Sequence, residues 1–414
     1  MFVRAPVVQG LATILVWAIP TVDVSAQPTV PAHSLLGLLN DLTVKVNTAA
    51  AGVPSLPIGP TDNLDIAVLM ALEVSTAPLG TSSGSFTFKF DGPTGIFVSS
   101  TRTFGPAFAQ RSLTSGKGKV NAGFQWLHAH YDSLSGLGMM NGDLRPVQNV
   151  RTAEGPAPVS YSSIKVNATS DINVGFLSYG VINDLDVGVA VPWIRVSLGA
   201  DAGLFSATNQ DLTPGGHLLV IPHTSASGVG DIAVFAKHHL WHQGDPNDDG
   251  GLAAGVELRF PTGDMNNLRG TGVTRTLFSA IWSHGGIVSP HANIGYEYWS
   301  KKIQLTDAYL KDQINYAFGA EIRSHRKATI TADIVGRRLL NGGASGYRTV
   351  PLFPGVIGEV LRTFPQSLDV VSAAPGVKWN VAGNVILAGN VLASITNGGL
   401  RSNLTSVVGF EWAF

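Results

Sequence analysis

Thr405-Ser-Val-Val408-Gly-Phe410-Glu411-Trp412-Ala-Phe414 alternates along its length: Val408, Phe410, Trp412 and Phe414 interleave with Val407, Gly409, Glu411 and Ala413. Period two is the signature of a strand with one apolar face. A soluble chain rarely leaves aromatics beside a terminal carboxylate. An outer-membrane barrel closes with such a strand, its aromatics lying at the lipid interface.

The opposite end of the chain agrees. Met1 to about Ala26 pairs Arg4 with an apolar run from Val7 to Ile19, then offers Val24-Ser25-Ala26 as a cleavage site. The pattern predicts a secretory signal over residues 1–26. A single membrane helix is disfavoured, because the run breaks at Pro20 short of the ~20 apolar residues a span requires.

Composition narrows the class further. Cysteine is absent, which removes disulfides and thiolate metal sites. Lys+Arg total 27 against Asp+Glu 28, so no basic field exists to hold nucleic acid. Mean hydropathy is +0.20 with only 13% charged residues, yet no segment after the signal offers ~18 uninterrupted apolar residues. High hydropathy without helical spans leaves a closed barrel, since lipid tolerates no open sheet edge. Nothing in the sequence requires a cofactor.

About a dozen alternating segments follow Lys117, near 119–131, 161–182, 185–198, 228–241, 251–261, 275–287, 290–300, 313–323, 327–338, 367–381, 384–396 and 402–414. Most match the ~9–11 residues of a tilted membrane strand. With both barrel ends periplasmic, the short turns (Asn183-Asp184, His242–Gly250, Ser289, Ser324–Arg326, Gly383) fall inside. The long connections, including Ser133–Ser160 and Leu339–Gln366, fall outside, as such barrels require. The expected fold is therefore an all-β transmembrane antiparallel barrel of 12 strands over residues 119–414.

Residues 27–118 read as an N-terminal, partly helical segment, periplasmic or entering the lumen. Ser34–Leu42 and Leu64–Val74 are helix-compatible, and a Pro-rich stretch separates them. Ser85–Asp91 and Ile96–Thr103 flank Gly92-Pro93-Thr94-Gly95 as a hairpin. The wall would hold 14 strands if this 85–103 hairpin joined it.

Several stretches resemble the outer-membrane family labelled the MetA-pathway of phenol degradation, a group of transporters. They include Ala77-Pro-Leu-Gly80-Thr-Ser-Ser-Gly84, Phe104-Gly-Pro-Ala-Phe-Ala-Gln-Arg111, Gly116–Phe124, Asn183–Pro192, Gly228-Val-Gly-Asp231, Leu258–Gly272, Ser289–Tyr296 and the closing strand. Their order over nearly the whole mature chain gives the likeness its specificity. The resemblance implies a membrane barrel with a transport role, distantly similar to long-chain fatty acid channels. It transfers no functional residues. The expected partners are outer-membrane lipid, a small apolar permeant and the barrel-assembly machinery, engaged through the Phe414 strand.

Strand phasing fixes an inward face. With Phe410, Trp412 and Phe414 on lipid, Glu411 faces the lumen. The same logic turns Glu257 and Arg259, Glu321 and Arg323, Asp333 and Arg337, and Asp231 and Lys237 inward. A lipid-facing charge near the midplane costs ~2–4 kcal/mol, which gives this phasing its force. The resulting mixed-charge lumen serves either as an ion-paired filling that braces the walls or as the lining of a permeation path.

Other motifs carry less. Gly80-Thr-Ser82-Ser-Gly84 matches G-x-S-x-G but leads into an alternating strand rather than a strand-to-helix elbow. Asp245-Pro-Asn247-Asp-Asp249-Gly250 opens like a calcium loop, but Val256 stands at the twelfth position in place of Glu. Alternation sends His238 and His239 to opposite faces, leaving His239 and His242 as a pair that could converge, with no carboxylate at convincing spacing. Trp126, Tyr131, Trp193, Trp241, Trp282, Tyr296, Tyr298 and Trp299 are expected in interfacial girdles. A channel for passive uptake is the expected function, its permeant class resting on the resemblance. A lipase-like barrel would need a Ser–His pair on the lipid-facing wall, and phasing shows no obvious one. A structural or adhesive barrel would act through Ser133–Ser160 and Leu339–Gln366.

Overall fold

The computed structural model describes residues 34–39, 41, 62–75, 88–91, 96–99 and 103–414, apart from 158, 214–218, 244–249 and 306. The signal segment, the Gly80–Gly84 motif and most of the Asp245–Gly250 loop lie outside the described residues.

Twelve strands build the wall: β1 (Val120–Tyr131), β2 (Tyr161–Ile182), β3 (Leu185–Phe205), β4 (Ala233–His242), β5 (Gly251–Arg259), β6 (Arg275–Ser283), β7 (Val288–Trp299), β8 (Gln313–His325), β9 (Ala328–Leu339), β10 (Leu368–Asn380), β11 (Val385–Ser394) and β12 (Leu404–Ala413). Each pairs antiparallel with its neighbours in sequence, and β12 pairs with β1. Val120 and Phe414 exchange reciprocal backbone hydrogen bonds of 2.9 Å at this seam. Closure leaves no unpaired edge for lipid to meet. Periplasmic turns are tight. In the β10–β11 turn, Gly383 adopts φ +74° and its N–H donates to Asn380 Oδ1 at 2.7 Å.

The hairpin Phe88–Asp91/Ile96–Ser99 pairs only with itself, so the wall has 12 strands rather than 14. One further strand, Leu219–Val229, lies outside the closed set and pairs with the outer half of β3. Val229 opposes Trp193 and Ala233 opposes Ala190, so Gly230–Ile232 form a break between this strand and β4. The long outer connections also fold. Ala344–Phe353, Val356–Phe364, Val147–Thr152 and Gly155–Pro156 make a four-stranded sheet around Val147, Val150, Leu352 and Val360.

The outward face is apolar from strand to strand. Phe414 is 53% and Trp412 46% exposed, and Phe318, Ile330, Phe278, Ile294 and Leu387 are exposed with them, while Glu411 on the opposite face is 8% exposed. An exposed apolar band around a closed antiparallel barrel is the surface that lipid covers. The protein is an outer-membrane β-barrel. Trp193, Trp241, Trp282, Tyr296 and Tyr298 are exposed on this face, as expected of a girdle.

Tyr131 and Trp299 are corrections to the girdle. Both are buried, because each shares the inward parity of its strand, Tyr131 with Leu127 and Ala129, Trp299 with Glu297. Trp299 is wholly buried and donates its indole N–H to Glu297 Oε1 at 3.0 Å.

Candidate functional site

The lumen is occupied by the chain's own N-terminal segment. Residues 103–116 run along the periplasmic half of the wall and are held there by side chains from six strands. Asp333 on β9 accepts from the backbone N–H groups of Ala107 and Phe108, both at 2.9 Å. His291 on β7 adds a 2.8 Å contact from Nε2 to the other Asp333 oxygen. Glu321 on β8 accepts from Gly105 N–H at 3.1 Å and is paired with the Arg111 guanidinium. Lys237 on β4 donates its ammonium to the carbonyls of Arg111 and Leu113. Asn293 on β7 pairs with both backbone groups of Gln110. Ser283 on β6 bonds Ser112, and Asp186 on β3 holds Ser115 through N–H and hydroxyl.

Helix α1 (Asp62–Ser75) and residues 35–39 fill the outer half. Ala, Leu, Met and Glu dominate α1 and favour the helix. Its described apolar side chains, Val68 to Val74, are buried in one cluster with Leu35, Leu36 and the inward residues Ile172, Ile194, Val196 and Leu198 of β2 and β3. The inward face of the outer part of β2 and β3 is therefore apolar, while β5 to β9 carry charged residues inward. Arg275 of β6 approaches the Ser75 carbonyl at 3.4 Å and so places a cation at the C-terminal end of α1, which the helix dipole favours. Glu73 is paired with Arg337 of β9 and lies 3.7 Å from Arg401 in the β11–β12 connection. Burial draws the Arg401 guanidinium below its usual value, and Glu73 opposes that shift.

A cavity of about 220 Å³ remains between this filling and the wall. Its lining mixes apolar residues, Phe108, Leu127, Ala129, Ile172 and Leu277, with the charged Glu73, Glu257, Glu297, Arg259, Arg275 and Arg337. Arg259 Nε donates to Glu257 Oε1 at 2.5 Å. Glu297 gathers Arg275, Gln313, Asn315 and Trp299 around one carboxylate.

The nine residues selected by phasing thus fall into separate places. Glu257, Arg259 and Arg337 line the cavity. Glu321, Asp333 and Lys237 hold the inner segment. Asp231, at the break above β4, accepts from Gly263 N–H and Thr271 N–H, both at 3.1 Å, and so ties the β5–β6 connection inward. Glu411 pairs with Lys378 across β11 at 3.0 Å. Arg323 is half-buried at the periplasmic end of β8. Glu257 and Arg259 do pair within β5, but Glu321 pairs with Arg111 of the inner segment rather than with Arg323, which lies at the periplasmic end of β8. Glu73, Arg111, Arg275, Glu297 and His291 were missed. Parity alone would have turned Glu297 inward between Tyr296 and Tyr298; Glu73, on α1, and Arg111, in the irregular segment after it, lie outside the reach of strand phasing.

The Lys378–Glu411 pair yields a direct test. Glu411→Gln alone is expected to cost roughly 3–5 kcal/mol by removing the carboxylate that neutralises a buried ammonium, whereas a double change to Met at both positions costs far less. Urea unfolding of the refolded barrel measures both.

The model of the family described as "Putative MetA-pathway of phenol degradation" matches residues 157–396, more than half of the chain. The chain belongs to this family. No curated protein matches it. Among solved structures, an outer membrane channel from Pseudomonas putida F1 is 12% identical, with 73% of this chain and 98% of that one covered at a TM-score of 0.45. The transport unit of the autotransporter AIDA-I from Escherichia coli is 10% identical, with coverage of 72% and 91% and a TM-score of 0.37. The Ralstonia pickettii toluene transporter is 12% identical, with coverage of 72% and 90% and a TM-score of 0.32. Membership in the family rests on the sequence match.

Proposed function

We propose that this family member is a channel for passive uptake of small hydrophobic or aromatic molecules, gated by its own N-terminal segment. The cavity carries this reading. Its volume of about 220 Å³ exceeds the ~150 Å³ of an engineered protein cavity that binds benzene, so a single aromatic ring fits. Its apolar lining residues supply the burial such a ring needs, and its Arg and Glu residues supply polar groups that orient a substituent. The family description and the toluene transporter among the structural likenesses point to the same permeant class. Residues 103–116 and α1 act as a plug, and Glu321, Asp333, Lys237 and Arg337 act as its anchors. The Phe414 strand is the segment that the barrel-assembly machinery would engage.

Cells carrying the protein are expected to take up a small labelled aromatic solute faster than cells lacking it. Arg259→Ala, which removes a charged group from the cavity lining, should change the rate among permeants of different polarity. Equal uptake with and without the protein would refute the reading.

A second reading has one observation behind it. Phasing showed no Ser–His pair on the lipid face, yet the register sets Ser406 of β12 opposite His128 of β1, and His128 opposite Asp171 of β2. His128 Nδ1 lies 2.8 Å from Asp171 Oδ1, while Ser406 makes no hydrogen bond to His128. Such a row has the residue types of an acyl hydrolase. Labelling of Ser406 by a fluorophosphonate, lost in His128→Ala, would favour a lipase-like activity; no labelling favours the channel alone.

A further inference from the structure

Three metal-ligating side chains meet at the periplasmic rim, where the β2–β3 turn approaches the end of β4. Ligand atoms of Asp184, His239 and His242 all lie within 4.8 Å of one another. Regular alternation would set His239 and His242, three residues apart, on opposite faces of β4. The register on β5 slips between them: His239 opposes Ala253, Trp241 opposes Leu252 and His242 opposes Gly251. The resulting bulge at Leu240 restores both imidazoles to one side, with ring centroids 3.8 Å apart and planes tilted by 49°. Asp184 arrives from the neighbouring turn. Its carbonyl accepts from His239 N–H at 2.8 Å, and its Oδ1 lies 2.9 Å from His242 Nε2.

The hydrogen bonding of His239 favours ligation. Its Nε2 lies 2.9 Å from the Trp241 carbonyl, which can only accept, so Nε2 carries the proton and Nδ1 keeps its lone pair. Metal-bound histidines commonly donate their second ring N–H to a backbone carbonyl, which fixes ring and tautomer. His239 is 4% exposed, so its ring is already oriented and largely out of water. His242 is exposed and can swing. A tetrahedral ion with bonds of about 2.0–2.2 Å holds its ligands roughly 3.3–3.5 Å apart, and rotation of His242 supplies that closure.

We propose that Asp184, His239 and His242 bind a divalent transition-metal ion of the zinc class. Two imidazoles and a carboxylate with water in the fourth position make a known zinc ligand set. Calcium and magnesium ask for six or more oxygen ligands and fit poorly here. The ion clips the β2–β3 turn to β4, the strand whose Lys237 holds the inner segment.

The test uses the untagged full-length protein in detergent, titrated calorimetrically with Zn²⁺. One equivalent is expected to bind, and Asp184→Asn and His242→Ala are each expected to weaken binding about tenfold or more. Both positions are solvent-accessible, and folding of each variant is read from the heat-dependent gel mobility of the barrel. Zinc-edge X-ray absorption of the loaded wild type should show two imidazole ligands, a readout that needs no variant. Binding that never saturates at one equivalent, equal affinity in both variants, or an absorption spectrum with fewer than two imidazoles would overturn the site.

Discussion

Asp333→Asn is expected to release the inner segment and raise the open probability of the channel sharply. The Asp333 carboxylate accepts from Ala107 and Phe108 N–H groups and from His291, in a place closed to water. Asparagine keeps one acceptor and turns an amide donor on its former partners. Breaking a buried charged network of this kind costs roughly 3–5 kcal/mol. The cost falls on the plugged state, because water solvates the same groups once the segment leaves. A shift of that size changes the ratio of states by roughly two to four orders of magnitude. Single-channel recording in a planar bilayer reads it directly. Arg338→Ala serves as a control, since Arg338 and Asp369 form an exposed pair on the opposite face. Openings as rare in Asp333→Asn as in wild type would show that residues 105–109 do not gate the lumen.

The second large effect concerns the wall. Phe318 lies at the middle of β8 and is exposed. Phe318→Arg should destabilise the folded barrel in lipid by ~2–4 kcal/mol, as a charge at the bilayer midplane does. Tyr298, near the outer end of β7, sits at the interface, so Tyr298→Arg should cost only ~0–1 kcal/mol. Equilibrium unfolding from lipid vesicles compares the two. Equal costs would mean that depth in a bilayer does not govern this surface.

Much of the wall was legible because lipid imposes one rule on every outward position. Alternation located all twelve strands, and it separated Glu411 from Phe410 and Trp412. Parity assigns a face, however, and never a partner. Glu321 therefore read as the companion of Arg323, although the Arg111 guanidinium occupies its carboxylate. Tyr131 and Trp299 read as girdle residues from their types and their nearness to strand ends, although their parity points inward.

The interior was less legible for a related reason. The segment 103–116 has no regular structure, and its N–H groups find Asp333, Glu321 and Asp186 from more than fifty residues away. Such contacts leave no period in the sequence. The inward faces of β2 and β3 are as apolar as their outward ones over long stretches, because they pack on α1 rather than on water. His239 and His242 were expected as the pair that could converge, and they do so through the bulge at Leu240; the carboxylate beside them, Asp184, comes from another turn and leaves no spacing in the sequence to read.

The central claim is that permeants cross through the cavity beside the inner segment. The natural chain has no cysteine, so a single new thiol can be placed on that path. Ala129 lines the cavity and is small enough for Ala129→Cys to leave the wall intact. Whole-cell uptake of a labelled aromatic solute, measured before and after modification of this thiol with a bulky membrane-impermeant reagent, gives the test. Uptake should fall close to the level of cells without the protein. Unchanged uptake after complete modification, or a thiol that the reagent never reaches, would contradict a pathway through this cavity.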